Sequence, residues 1–331
     1  MTASLPMNTS RLRRVIAMAI AALFLCPGGA GAGSADRPFA SLATGPVSGI
    51  YYPVGQAICN AVNATRTGLA LWCSIESTPG SVYNVDSVVS GENEFALVQS
   101  DAQFFAVNGE GRWQGRPASQ LRAVMALYPE TLTVIVREDS GIGTVEQLKG
   151  KRVNIGAPGT GSRVTWDELK GALKITEADL AEAGELKTDA ATARLCANTL
   201  DASLMIVGHP SSMIERQLNS CRLKLLPVSG EAVAALVAMR PYYTAATIPG
   251  RAYGLAADVP TFGVKATLVT SSAVPEDTVH ALTMAIMTNL EKLKLQQALA
   301  GLKPDDMAAQ SLTAPLHPGA ARAFRELGLL Q

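Results

Sequence analysis

The sequence predicts an α/β protein built of two lobes that face each other across a cleft. Apolar stretches of strand length alternate with stretches of helix length along most of the chain, which is the pattern of α/β folds. Two strand–helix units each open with a glycine-rich turn, which indicates one such unit per lobe. The strand segments are near-continuous runs of Val, Ile, Leu and Ala, as expected where both faces of a parallel sheet are covered.

The composition narrows the class of protein. Of 331 residues, 48% are hydrophobic and 17% are charged, and 28 basic residues balance 28 acidic ones. The longest apolar run covers only residues 15–26, whereas a bilayer-spanning helix needs about 20 residues, so a polytopic membrane protein is excluded. The absence of a basic block argues against nucleic-acid binding. The low charge excludes a disordered chain.

The amino terminus has the layout of a secretory signal peptide over residues 1–32. Arginines precede the apolar run 15–26, and a small-residue cleavage site ends at Ala32. Cleavage there leaves 299 residues with 25 basic and 28 acidic side chains, a net charge of −3. Two alternatives are a lipoprotein signal on Cys26, for which Leu25 is an unsuitable neighbour, and a permanent anchor, for which the run is short.

The four cysteines that follow Cys26 suggest disulfides, because an even number is typical of an exported protein. Four cysteines can pair in three ways, and four free thiols are a further alternative. We favour the sequence-local pairs Cys59–Cys73 and Cys196–Cys221. Each pair would join the end of a predicted helix to the start of the next strand. In the chain-entropy model each loop would stabilise the fold by about 3 kcal/mol. No Cys/His cluster occurs, so neither a metal nor a cofactor is expected.

The elements of the first unit follow from local patterns. Pro53 suits the first turn of a helix, where its missing N–H costs nothing. The predicted strands are 39–43, 71–75, 95–98, 122–127 and 131–136, and the predicted helices are 53–65 and 81–90.

The second unit repeats the alternation. Its predicted strands are 152–155, 202–207, 223–227 and 261–270, and its predicted helices are 145–148, 162–173, 177–183, 190–197, 210–218, 231–239 and one or two within 275–298.

Two turns of the first unit combine glycines or hydroxyls with the start of a helix. The unpaired amides of a helix start favour a carboxylate, a sulfate or a phosphate, and glycine lets the backbone approach such a ligand. An ordinary turn with core tyrosines and a simple helix cap are the alternatives. The candidate residues are Thr44, Gly49, Tyr51 and Tyr52 in the first turn, and Ser77, Thr78 and Ser81 in the second.

Two further segments carry polar residues at strand ends, where open α/β sheets bind ligands. Gln99 and Ser100 follow an apolar strand directly. In the second unit, Gly161, Ser162 and Arg163 lie in a glycine-rich loop that is neither a Walker A loop nor GxGxxG. Arg163 is either a bidentate partner for a carboxylate or a solvated surface charge.

Catalytic motifs are scarce, so the sequence does not predict an enzyme. The three histidines are far apart, and no GxSxG, HExxH or nucleophile–base arrangement is present. His209 follows a strand and is placed to line the cleft. His280 falls in a predicted helix and His317 in a proline-bounded turn, where structural roles are expected.

Five segments of the chain stand out together: ATGPVSGIYYPVGQAIC, CSIESTPGSVYNV, FALVQSDAQFFAVNG, LKGKRVNIGAPGTGS and APLHPGAARAFRELGL. Through these segments the chain resembles the TAXI family of solute receptors, which serve one branch of the TRAP (tripartite ATP-independent periplasmic) transporters. The resemblance covers nearly all of the mature chain, in the order of the family. Pro46 and Pro79 stand where many members have glycine, which puts the identity of the ligand in doubt.

The resemblance implies a type II-like periplasmic-binding-protein fold, with two α/β lobes joined by a hinge and closing on one solute. We expect residues 33–130 and 262–331 to form lobe one and residues 131–261 to form lobe two. The expected ligand is a small organic anion: a dicarboxylate, a glutamate-like acid or an oxo-acid. The expected partners are sodium-driven TRAP membrane permease subunits, with the receptor itself monomeric and periplasmic.

The expected binding residues divide between the lobes. Tyr51, Tyr52, Ser77, Ser81 and Gln99 of lobe one would hold the carboxylate. Ser162, Arg163 and His209 of lobe two would contact the far side of the solute and stabilise closure. The alternatives are a periplasmic sensor subunit for a membrane kinase and a secreted hydrolase.

Overall fold

The computed structural model describes residues 1, 38–65 and 71–331. Apart from its first residue, the predicted signal peptide lies outside the described residues. Within the described ranges no helix is both long enough and apolar enough to cross a membrane.

Strands and helices alternate along the chain, as the sequence predicts. The strands are β1 (Phe39–Ala43), β2 (Trp72–Glu76), β3 (Phe95–Gln99), β4 (Leu121–Arg137), β5 (Arg152–Asn154), β6 (Glu182–Gly184), β7 (Ala202–Val207), β8 (Leu223–Leu226), β9 (Thr244–Ile248) and β10 (Val259–Ser271). The helices are α1 (Tyr51–Ala64), α2 (Ser81–Ser90), α3 (Ser100–Asn108), α4 (Gly161–Ala172), α5 (Thr188–Cys196), α6 (Ser212–Leu218), α7 (Glu231–Met239), α8 (Glu276–Thr288), α9 (Leu290–Leu293), α10 (Pro304–Ala309) and α11 (Pro318–Glu326).

One mixed sheet runs through the molecule, in the order β2-β1-β3-β10-β4-β7-β5-β6. The first half contains the parallel strands β1, β2 and β3. The second half contains the parallel strands β5, β6 and β7, with β8 on β4 and β9 on β10. The long antiparallel strands β4 and β10 belong to both halves and join them. The predicted mixed α/β class is therefore confirmed, while the predicted lobe boundaries stay a prediction.

The core covers both faces of the sheet. In β3, Phe95 and Leu97 pack into one apolar cluster with α1 and α8, whereas Ala96 and Val98 pack into a second cluster on the opposite face. Successive side chains of a strand point to opposite faces, so a strand buried on both sides must be apolar throughout. This arrangement explains the high fraction of hydrophobic residues in the chain.

Two sequence predictions need correction. The stretch 122–136 is one strand rather than two, because Pro129 lies at an irregularity in the pairing of β4 with β10 and not in a turn. A bulge of this kind tolerates a proline, which cannot donate to the ladder. The predicted helix 177–183 is a short 3-10 turn at Glu177–Asp179 followed by β6.

Both predicted disulfides are present. Cys59 of α1 is bonded to Cys73 of β2, and Cys196 of α5 is bonded to Cys221 just before β8. The first bridge ties α1 to the strand that follows it, and the second ties the end of α5 to the residues that precede β8, past β7 and α6. The two bridges lie away from the cleft described below, one in each half of the sheet.

Candidate functional site

A cavity of about 130 Å³ lies where the two halves of the sheet meet, at the carboxyl ends of their strands. Ligands of open α/β sheets bind at this edge, because the chain turns there from strand to helix and presents free backbone groups. Its lining comprises Gly45, Pro46, Ser48, Gly49, Ile50, Tyr51, Pro79, Gly80, Ser81, Gln99, Glu130, Thr160, Gly161, Ser162, Thr188, Met205, Ile206, Val207 and Met213.

Six of the residues singled out in the sequence line this cavity. They come from both halves, as a cleft between two units requires. They are Gly49, Tyr51, Ser81, Gln99, Gly161 and Ser162.

Helix α4 presents the most open backbone donors to the cavity. The amides of Gly161 and Ser162 begin this helix, and neither donates to a group among the described residues. The Ser162 hydroxyl accepts a hydrogen bond from the Ile206 amide at 3.0 Å, which fixes the start of α4 against β7. Free amides at the positive end of a helix dipole favour an anion.

Helix α2 is used differently. Its Val82 and Tyr83 amides donate to the Gly159 carbonyl of the second half at 3.1 and 3.3 Å. The Ser81 hydroxyl accepts from the Gln99 amide at 3.1 Å. The amides at the start of α2 therefore hold the two halves together in this conformation, and the Ser81 hydroxyl holds the backbone of Gln99 in place.

Gln99 makes a side-chain contact between the halves within the lining of the cavity. With its amide oriented to suit its neighbours, its side-chain nitrogen donates to the Gly161 carbonyl at 3.1 Å and to Asp101 Oδ1 at 3.2 Å. A Cβ atom on Gly161 would lie 2.2 Å from the Gln99 side-chain amide. Only glycine fits at this position while Gln99 keeps its place.

Glu130 is the one charged residue of the lining, and the sequence patterns did not predict it. It lies in β4 directly after Pro129, it is 3% exposed, and its Oε2 accepts a hydrogen bond from the Tyr51 hydroxyl at 2.8 Å. Burial, together with the nearby charge of Asp101, raises the pKa of Glu130 to about 8 in spite of the hydrogen bond from Tyr51. The available signal was an acidic residue between two apolar strand segments.

Asp101 lies beside the cavity and links elements of both halves. Its fully buried carboxylate accepts hydrogen bonds from Thr165 of α4 at 2.8 Å, from Tyr243 at 3.2 Å and from the Ala102 amide at 2.7 Å. Burial raises its pKa to about 6 in spite of these three donors, which act in the opposite direction. Asp101 therefore ties the start of α3 to α4 and to the segment before β9.

Three of the predicted hydroxyl residues serve the turns rather than the cavity. Thr44 donates to the Glu76 carbonyl, and Ser77 donates to the Gly45 carbonyl. Thr78 donates to the Thr44 carbonyl and to Asn84, a buried side chain that also donates to the Thr44 and Leu97 carbonyls.

The remaining predicted residues of the first half also lie off the cavity. Ser100 donates to the Tyr242 carbonyl and accepts from the Lys265 amide. Tyr52 is partly exposed and does not belong to the lining.

Arg163 is directed away from the cavity. Its guanidinium forms ion pairs with Asp167 at 3.6 Å, with Glu177 at 3.2 Å and with Glu185. Three carboxylates already surround this cation, so its geometry does not support the expected pairing with a solute carboxylate. The side chain belongs to an ionic cluster on the outer face of α4.

His209 also lies outside the lining. Its Nε2 is 2.8 Å from the Thr133 hydroxyl, and its Nδ1 is 2.6 Å from the Tyr253 hydroxyl. Burial lowers the pKa of His209 to about 4, so the imidazole is neutral at physiological pH and offers no positive charge.

The architecture identifies the class of protein. A mixed sheet in two halves, joined by two long strands and enclosing a cavity at the strand ends, is the fold of the periplasmic binding proteins. The chain belongs to the NMT1-like family, whose model matches residues 42–328.

Solved structures show the same fold at low sequence identity. PhnD1 from Prochlorococcus marinus, in complex with methylphosphonate, is 10% identical and has a TM-score of 0.54, with 89% of this chain and 100% of that chain covered. MatC from Rhodopseudomonas palustris, with bound malate, is 14% identical and has a TM-score of 0.51, with coverage of 79% and 88%. A putative L-cystine ABC transporter protein from Listeria monocytogenes is 11% identical and has a TM-score of 0.51, with coverage of 80% and 97%.

Proposed function

We propose that this protein is the extracytoplasmic solute-binding subunit of a membrane transporter and that its cleft captures one small organic anion. The main observation in support is the amino-terminal end of α4, where the amides of Gly161 and Ser162 donate to no described group and border a cavity between the two halves. The fold and the NMT1-like family support a binding role. Two structural neighbours have acidic ligands, methylphosphonate and malate, in their complexes.

The volume of the cavity limits the size of the solute. An engineered cavity of about 150 Å³ binds benzene, which has six non-hydrogen atoms. A cavity of about 130 Å³ therefore suits a solute of similar size, such as a three-carbon 2-oxo or 2-hydroxy acid. A longer dicarboxylate or a glutamate-like acid would require a wider separation of the halves.

Capture works by favouring the closed arrangement. The contacts of Gln99 with Gly161, and of α2 with Gly159, already join the halves. A solute that touches both halves adds contacts that exist only when the cleft is shut. Its binding free energy therefore shifts the population towards the closed state.

We further propose that the membrane partner is a TRAP permease pair and that the protein acts in the periplasm as a monomer. This assignment rests on the TAXI-like segments, two of which contain cavity residues Gly49, Tyr51 and Ser81. The expected reaction is uptake of the bound solute at the expense of a sodium gradient. Uptake by vesicles that contain the permease should require this subunit and the gradient, and uptake driven by ATP alone would contradict the assignment.

Thermal-shift measurements and calorimetry on the mature chain test the binding function. The panel should contain 2-oxo and 2-hydroxy acids, C4 and C5 dicarboxylates, amino acids and neutral sugars. We expect a rise in melting temperature with a small organic acid, one molecule bound per chain, and no turnover of that molecule. A rise with neutral sugars and none with any organic anion would refute the proposal.

A further inference from the structure

The charge inside the cavity is the opposite of what an anion site ordinarily has. Among the lining residues, Glu130 is the one carboxyl group, and no Lys, Arg or His belongs to the lining. Arg163, the cation nearest in sequence to the lining residues Gly161 and Ser162, is held by three carboxylates elsewhere. A solute carboxylate would therefore share a small, poorly solvated space with Glu130.

The groups around Glu130 do not neutralise it. The Tyr51 hydroxyl of α1 donates to Oε2, and Oε1 receives no hydrogen bond from the described residues. No ion pair of Glu130 occurs in the described part of the chain. The titratable groups next to it in sequence or across the sheet are Tyr128 on β4, Asp101 at the start of α3, Lys265 on β10 and His209 after β7. Near the two ends of β4, Arg122 donates to the Ser119 and Leu121 carbonyls and Arg137 is paired with Asp139.

None of these neighbours supplies a positive charge to the cavity. Tyr128 is a buried neutral hydroxyl, and Asp101 adds negative charge. Lys265 donates to Gln310 at the exposed side of β10, and His209 is neutral. Two like charges in this space would repel each other strongly, because the local dielectric constant is far below that of water.

Protonation of Glu130 removes the conflict and adds a donor. With Oε2 occupied as an acceptor by Tyr51, the proton resides on Oε1, the oxygen that is free to meet a solute. A neutral carboxylic acid that donates to a carboxylate forms one of the stronger hydrogen bonds known in proteins. The raised pKa of Glu130, about 8, is consistent with this state at neutral pH.

We propose that Glu130 receives the solute as a neutral acid, donating a hydrogen bond from Oε1 to the solute carboxylate, so that capture of the anion at alkaline pH takes up one proton from solvent. No covalent bond forms or breaks other than the O–H bond made with that proton. The inference rests on the proposed binding of an organic anion and specifies how the site tolerates its charge. Glu130 thereby becomes a residue that determines specificity for anions.

Calorimetry with pyruvate and L-lactate as probes tests this coupling. The wild type should bind a probe with constant affinity between pH 6 and pH 7. Its affinity should be about tenfold weaker at pH 9, because the neutral form becomes rare above a pKa of about 8. Paired buffers of different ionisation enthalpy should give an uptake of nearly one proton per solute at pH 9 and almost none at pH 6.

Two variants make the test specific. Glu130→Gln keeps the acceptor for Tyr51 and offers an amide N–H to the solute at every pH. Its binding should therefore be independent of pH and take up no proton. Glu94→Gln makes the same chemical change at a carboxylate that is hydrogen-bonded to Ser41 outside the cavity. This control should keep the pH profile of the wild type.

The outcomes separate the inference from the function on which it rests. Binding of a probe by the wild type at pH 9 without proton uptake would overturn the inference alone. A folded Glu130→Gln protein that no longer binds the probes at pH 6 would also overturn the inference, since Glu130 would then act as a charged partner. The same holds if the wild type binds L-alanine and the Glu130→Gln protein does not. Failure of the wild type and of both variants to bind either probe or any other organic acid at pH 6 would instead overturn the anion-binding function, and the inference with it.

Discussion

Gly161→Ala should open the cleft by a purely steric effect. A Cβ atom at this position would lie 2.2 Å from the Gln99 side-chain amide, far inside van der Waals contact. Gly161 is a helical residue whose φ is not in the left-handed region, so alanine introduces no backbone strain. The amide of Gln99 must therefore leave its place between the two halves.

The cost of this displacement follows from the contacts that are lost. Gln99 is 4% exposed, and it gives up hydrogen bonds to the Gly161 carbonyl and to Asp101. At about 1 kcal/mol for each bond, the closed state loses about 2 kcal/mol relative to the open state. That difference corresponds to a reduction of about 30-fold in the apparent affinity for the solute.

Calorimetry measures the affinity, and small-angle scattering of the solute-free protein measures the opening as an increased radius of gyration. Gly171→Ala is the matched control, because it makes the same change in α4 at a site with nothing within 4 Å of the added Cβ. The control should leave affinity unchanged and stabilise the helix by about 1 kcal/mol. Unchanged affinity and unchanged scattering for Gly161→Ala would refute the contact between Gln99 and Gly161 as a closure device.

Three other substitutions test separate parts of the account. Glu130→Gln should alter the pH dependence of the free energy of unfolding. Burial raises the pKa of Glu130 from 4.5 to about 8. The contribution of neutral Glu130 to the free energy of unfolding is therefore fully present below pH 4.5 and is lost as pH rises through 8. Relative to the variant, urea unfolding of the wild type should lose about 3 kcal/mol between pH 4 and pH 7, and parallel profiles would contradict the burial of an unpaired acid. Replacing both Cys196 and Cys221 by serine should lower the free energy of unfolding by about 3 kcal/mol, because the bridge closes a loop with a sequence separation of 25; an equal stability under oxidising and reducing conditions would contradict this bond. Arg163→Ala should change solute affinity by less than about twofold, because the guanidinium is bound to carboxylates outside the cavity; a loss of a hundredfold would return Arg163 to the site.

The strand ends were predictable because they follow from local patterns. An apolar run that ends in polar or glycine-rich residues marks the same edge of the sheet each time it occurs. Gln99, Gly161 and Ser162 were found in this way, without knowledge of which turns would meet. The disulfides were predictable for a similar reason, because each closes a short stretch of chain, with sequence separations of 14 and 25.

The charge of the site was not predictable from such patterns. Arg163 is a cation in a glycine-rich loop, but its direction depends on Glu177 and Glu185, which other segments supply. Glu130 was not predicted because it falls in the gap between the two predicted strands 122–127 and 131–136. In the fold Pro129 forms a bulge inside β4 that leaves the carboxyl group of Glu130 at the cavity.

Serine and threonine residues before a helix were equally ambiguous. Thr44, Ser77 and Thr78 bind carbonyl groups of the adjacent turns, whereas Ser81 accepts from the Gln99 backbone. A hydroxyl at a strand end can serve a ligand or the chain itself, and local sequence does not distinguish the two. Long-range packing, here through Asn84, decides the outcome.

Native mass spectrometry of the mature wild type and the Gly161→Ala variant, mixed with the same organic acids, measures directly how many solute molecules each protein holds. We predict one solute per wild-type chain, with a mass near that of a molecule of about six carbon and oxygen atoms, and a much smaller bound fraction for the variant. An absence of any adduct on the wild type, or an equal adduct on both proteins, would contradict capture of a small organic anion in the cleft between the two halves.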